Sequence, residues 1–265
     1  MWYQALAESG AGISDTAAGD PYEVKAERLP AANAVMMLAA HVSRHRIFTE
    51  WLDPSIEDES QPERRNPELN LYDPANLNQP PYSADFLAGF SAAQVARNRR
   101  ITAWVKEKLE TIRASDSPFG EFAFTVHGTM ADPRWLDPTI EPSDRTPGVC
   151  YLGDPEVVND GPVGLARFST LRSWLSQWSY DDARCDAIAS GAAITVPALV
   201  VGNTADDACT PSHTTRLFDA IGHDRKRLHI VEGATHYYTG PNGNEHLAEA
   251  IGAIDEFLHD ELPGS

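Results

Sequence analysis

The residues of this 265-residue sequence best suited to chemistry are an acidic pair, Asp206-Asp207, and a histidine 30 positions later, His236. A carboxylate bonded to one imidazole nitrogen fixes the ring tautomer and stabilises the protonated ring. The other nitrogen can then act as general base and afterwards as general acid. The plainer use of the same residues is structural, with the aspartates capping the helix opened by Pro211-Ser212 and His236 sitting in a turn. His41 and His45, four apart, would share one helical face as some metal ligands do, but no third ligand accompanies them. His41 is read instead as ending a strand at the edge of a site, where it touches substrate.

Such a pair needs two neighbouring strands to carry it. Val196 to Gly202 is an apolar run with Pro197 at its start, where a missing N–H is tolerated, and it ends in Asn203-Thr204-Ala205-Asp206-Asp207. Leu228 to Val231 is a second strand and runs into Gly233-Ala234-Thr235-His236. Adjacent parallel strands lie about 4.8 Å apart, so loops leaving their C-terminal ends can bring carboxylate and imidazole together. Ala34 to Ala40 reads as another strand buried on both faces, and Phe122 to Val126 as a weaker one.

Helical periodicity is stronger. Ser83 caps a long pattern carrying Phe86, Phe90, Ala93, Ile101, Trp104, Val105, Leu109 and Ile112. Leu165, Phe168, Leu171, Leu175 and Trp178 predict a helix over 164–180. A third helix follows Pro211, with Leu217, Phe218 and Ile221 inward and Gly222 as its C-cap. The last begins near Asn244, with Leu247, Ile251, Ile254, Phe257 and Leu258 along its stripe. Residues 53–83 and 132–162 hold six prolines each of the 19, so both are expected as long ordered loops. The expected organisation is therefore an N-terminal helix and first strand over 1–41, a mainly helical insertion over 42–190, and a strand-helix-strand-helix unit over 191–265. That order describes the tail of a doubly wound parallel sheet.

On VPALVVGNTAD, the GATH after the last strand, the closing helix at 244–259 and AVMMLAAH, the sequence resembles the α/β-hydrolase superfamily. The order acid then histidine is the second half of that family's Ser…Asp/Glu…His order. The resemblance implies an α/β fold: a partial hydrolase sheet bearing a cap at 42–190. It also implies His236 as base and, because the family's acid commonly ends a Gly-Thr-Ala-Asp-like stretch, Asp206 as its partner; counting back from Pro211 favours Asp207 instead. The family's nucleophile sits in a Gly-x-Ser-x-Gly elbow, and this sequence contains none. Gly89-Phe90-Ser91-Ala92-Ala93 lies inside the long helical pattern. Val126-His127-Gly128-Thr129 looks like the family's oxyanion strand but falls within the insertion. The expectation is thus an esterase-like hydrolase of neutral acyl substrates, N-terminally truncated and inactive alone, with residues 1–9 left from the helix after the elbow. A non-catalytic ligand-binding or interaction protein derived from the same fold is the alternative. His41, Trp174, Trp178 and Tyr237 are the expected substrate contacts, the tryptophans lining an apolar pocket in the cap. Core packing at helical spacing is the other reading of that aromatic stripe.

Composition narrows the partners. The formal charge is −18, and protonating all nine histidines would leave it at −9. Such a surface repels phosphate backbones and anionic headgroups, so neither nucleic acid nor membrane is expected as partner. A small-molecule substrate is expected, and self-association through a sheet edge left uncovered. The cysteines Cys150, Cys185 and Cys209 are odd in number, widely spaced and without a CxxC pair. They are expected as reduced thiols of a cytoplasmic protein, with no thiolate metal site and no cofactor.

Overall fold

The computed structural model describes residues 1–24, 29–115 and 120–262. Its centre is a three-stranded parallel sheet in the order β3-β6-β7, formed by β3 (Val35–Leu38), β6 (Ala198–Asn203) and β7 (Lys226–Val231). The sheet is flanked by α1 (Trp2–Ser9), α7 (Ala187–Gly191), α8 (Pro211–Ala220) and α9 (Gly243–Glu261). The protein is therefore a mixed α/β chain with parallel strands and several helices.

β6 is buried along its whole length because it is hydrogen-bonded on both sides and covered on both faces. Its side chains alternate between two cores. Ala198 and Val200 pack with Met37, Leu217 and Ile221, while Leu199 and Val201 pack with Val231, Ala250 and Phe257. The outer strands are less protected: Met36 and Leu38 on β3, and Leu228 and Ile230 on β7, are exposed. So are Leu247 and Ile251 of α9, which the periodicity placed inward. α8 ends in extended backbone at Ile221, not in a left-handed cap at Gly222.

Gly202 matters to the layering. A Cβ there would meet Thr214 of α8 at 2.4 Å, so only glycine lets this helix lie so close to β6. β1 (Ile13–Asp15) and β2 (Pro21–Val24) form an antiparallel pair that the sequence did not suggest.

Residues 42–190 are built on α2 (Arg44–Trp51) and on α3 (Ala84–Arg113), whose 30 residues span about 45 Å. Ser83 caps α3 as expected, accepting from the Phe86 N–H at 3.2 Å. The remaining elements are short: β4 (Ala123–Thr125), α4 (Pro133–Leu136), α5 (Pro155–Asp160), β5 (Phe168–Thr170) and α6 (Leu171–Gln177). The expected helix over 164–180 is only α6. Phe168 instead belongs to β5, paired antiparallel with β4, and is 74% exposed. Its spacing from Leu171 and Leu175 matched a helix by chance.

The buried face of α3 also carries polar side chains, and these hold the loop segments packed against it. Arg97 donates to the carbonyls of Asp53 (2.6 Å), His127 (2.7 Å) and Gly128 (3.1 Å). Gln94 donates to the Ala131 carbonyl, and Asn98 donates to that of Trp178 while accepting from the Tyr180 N–H. Loop carbonyls with no ladder partner are thereby satisfied.

Candidate functional site

The two loops expected to meet do meet. β6 and β7 leave the sheet side by side, and cross-bonds lock their continuations together. The Ala205 N–H donates to the Ala234 carbonyl at 3.0 Å, the Asn203 side-chain amide donates to Thr235 O at 2.9 Å, and the Gly233 N–H donates to Thr204 Oγ1 at 2.7 Å. Gly233 turns with φ +73°, a region glycine reaches without strain.

Of the two aspartates it is Asp206 that reaches the histidine, with Oδ2 2.9 Å from His236 Nδ1. Asp206 is fully buried, and its other oxygen accepts the backbone N–H groups of Ala208 (2.8 Å) and Cys209 (2.7 Å). One oxygen thus shapes the loop while the other holds the ring. The Asp207 backbone carbonyl takes the indole N–H of Trp135 at 2.8 Å. Burial, reinforced by the charge of Asp206, pushes the Asp207 carboxyl up to about 6.

Burial by itself would lower the His236 pKa. The hydrogen bond and charge of Asp206, with the charge of Asp207, outweigh it and raise the value above the ordinary one. A ring so held accepts a proton readily and keeps its Nδ1 engaged, as general base chemistry at Nε2 requires.

Two expected contact residues join the pair. The His41 ring is stacked 6.2 Å from that of His236, and Tyr237 stands edge-on at 4.6 Å while remaining exposed. Tyr151, which no sequence pattern marked, adds a third ring at 6.0 Å. The tryptophans do not join. Trp174 is fully buried among Phe48, Val105 and Leu171, with its indole N–H donated to Thr102 Oγ1 at 2.9 Å. Trp178 packs in the same core. They are structural residues of the insertion, and the aromatic stripe that suggested a pocket is the seam between α2, α3 and α6. Ser91 lies within α3, in keeping with its helical setting. His127 lies in the loop after β4, where its carbonyl serves Arg97.

A cleft of about 480 Å³ reaches His41 and is lined also by Trp2, Met37, Ala40, Ser43 and Leu217. A larger one of about 730 Å³ lies between residues 57–60, Trp104 and β4, and none of the paired residues borders it. Neither cleft is bordered by Asp206 or His236; the first reaches the pair through His41, whose ring stacks on that of His236. His41 is itself bonded, its Nδ1 lying 3.0 Å from Cys209 Sγ, and His213 stands beside it with ring centroids 6.3 Å apart. His45, by contrast, faces Asp186 at 3.9 Å and shares no cluster with His41. No helix among the described residues is long and apolar enough to cross a membrane.

No protein-family model matches this sequence, and no curated protein matches it. Among solved structures the chain is similar to DcsB in complex with its substrate analogue, with 15% identity over 63% of this chain and 52% of that one, at TM-score 0.36. It is similar to a monoacylglycerol lipase from Paleococcus ferrophilus, with 18% identity over 57% of this chain and 51% of that one, at TM-score 0.30. A third is Rv0554 from Mycobacterium tuberculosis, at 22% identity, 34% and 30% coverage and TM-score 0.25. The chain thus spans about half the length of the first two, and less of the third.

Proposed function

We propose that this chain is the acid–base half of an α/β-hydrolase, acting on a neutral carboxylic ester or related acyl bond. The observation that carries the reading is the Asp206–His236 hydrogen bond at the C-terminal ends of two adjacent parallel strands. His236 Nε2 takes the proton of an attacking serine hydroxyl and later returns it to the leaving alcohol. Asp206 holds the imidazolium formed between those steps. Water then attacks the acyl-enzyme with the same nitrogen as base. The serine comes from residues outside these 265, because no Gly-x-Ser-x-Gly occurs in them. Residues 42–190 serve as the cap over the cleft, and His41 and Tyr237 contact the substrate. The exposed apolar side chains of β3 support a sheet that continues past this strand.

A serine-directed fluorophosphonate tests the proposal. The chain is treated alone, and together with a polypeptide translated from the in-frame sequence upstream of Met1. Labelling that needs the added segment and is lost in His236→Ala is the expected result. If the segment binds but no serine is labelled, the chain is a non-catalytic binding protein. Labelling of the chain alone would show that the nucleophile lies within it.

A further inference from the structure

We propose that His41, Cys209 and His213 form a binding site for a borderline-soft divalent metal of the zinc class, adjoining the Asp206–His236 pair. One donor atom from each of the three lies within 4.8 Å of the other two, and His41 Nδ1 is already 3.0 Å from Cys209 Sγ. With Zn–S about 2.3 Å and Zn–N about 2.0–2.1 Å, a tetrahedral site needs donors about 3.3–3.6 Å apart, so rotations moving these atoms by about 1 Å close it. Three protein donors leave the fourth position for water or substrate, the pattern of zinc sites that keep an open position.

His213 is an independent sign of a ligand. It lies in the first turn of α8, is wholly buried, and neither ring nitrogen has a hydrogen-bond partner. A buried imidazole is normally bonded, because desolvating it without a partner costs about 1–3 kcal/mol. A metal ion satisfies one of its nitrogens directly. The donor set selects the class of ion: two imidazoles and a thiolate suit zinc and its neighbours, whereas magnesium and calcium require oxygen.

The Cys209 thiol is pushed up by burial and by the charges of Asp206 and Asp207. A divalent cation reverses that balance: the S–H proton leaves to solvent as the S–metal bond forms. The surroundings are those of an ordered outer shell. The Cys209 N–H is held by Asp206 at 2.7 Å, and the indole of Trp51 stands edge-on to His41 at 5.8 Å. None of this depends on ester hydrolysis by His236.

The test is a titration of the 265-residue chain with Co²⁺, followed by near-ultraviolet thiolate-to-cobalt charge-transfer absorption and competed with Zn²⁺. One equivalent is expected to saturate the band, and Zn²⁺ to erase it. Cys209→Ser should abolish the band, while Cys185→Ser, at an exposed thiol, should retain it. His213→Gln should weaken binding by more than the about 10–100-fold typical of losing an outer-shell partner. Absence of the band in the unsubstituted chain overturns the proposal whatever the variants do. So does a band that survives Cys209→Ser, since the thiolate then comes from another cysteine. Circular dichroism of each variant separates a lost ligand from a lost fold.

Discussion

Replacing Asp206 by asparagine removes one charge and leaves the shape. The asparagine carbonyl can still accept the Ala208 and Cys209 N–H groups, so the loop retains its two backbone bonds. Its amide nitrogen would then face His236 Nδ1 as a donor, and that nitrogen must accept, which moves the ring proton to Nε2. A hydrogen bond to a charged partner contributes about 1.5–3 kcal/mol. Its loss lowers the His236 pKa. Burial, the largest influence on the ring and one that lowers its pKa, is then opposed only by the charge of Asp207. Titration of the His236 ring by ¹H–¹⁵N NMR measures both the shift and the tautomer. The sign also appears in stability. A pKa raised by folding adds stability that is fully present below the unfolded value of about 6.5 and is lost as pH rises through the native value. In urea, the advantage of the unsubstituted chain over Asp206→Asn therefore shrinks with rising pH. If His236 titrates at the same pH or higher in the variant, Asp206 does not govern the ring and the reasoning fails.

Three further outcomes follow from the packing. Gly202→Ala forces a methyl against Thr214, and urea unfolding should show a loss of about 1–3 kcal/mol; an unchanged midpoint would mean that α8 does not lie this close to β6. Arg97→Met leaves the Asp53 and His127 carbonyls without this donor, while Gly128 keeps the Asp53 N–H, and it breaks the ion pair with Glu59, so a loss of about 3–5 kcal/mol is expected; a stable variant would refute the role given to α3. Hydrogen bonds from Arg172 and Arg113 hold the Asp20 carboxyl down to about 2. Its stabilisation is therefore present above the unfolded value near 4 and lost as pH falls toward 2. Reduced for solvent screening, the effect is about 1 kcal/mol, and comparing acid unfolding with Asp20→Asn measures it; identical acid profiles would contradict the pairing.

The parallel strands and the helices α3, α8 and α9 were legible because each announces itself locally, by a contiguous apolar run or by a cap and a period. The acid–histidine pair was legible for the same reason, since both residues lie just past strands whose adjacency a parallel sheet dictates. Asp206 and Asp207 could not be separated by residue type, because only the loop's backbone conformation decides which carboxylate turns toward the ring. Trp174 and Trp178 were misread because an aromatic stripe looks the same whether it faces a ligand or another helix. β5 was missed because three residues are too few to show a period. Least legible of all was the meeting of His41 with Cys209, 168 positions away, which is set by the packing of the strand ends and by no local pattern.

Asp206 has no spare oxygen, since one fastens the turn around Cys209 and the other fastens His236. The carboxylate therefore ties the Cys209 turn and the imidazole to one side chain. Whatever tugs on the Cys209 backbone tilts the imidazole, and whatever reorients the imidazole is felt at the sulfur. A substitution near either end of this link is therefore expected to be felt at the other.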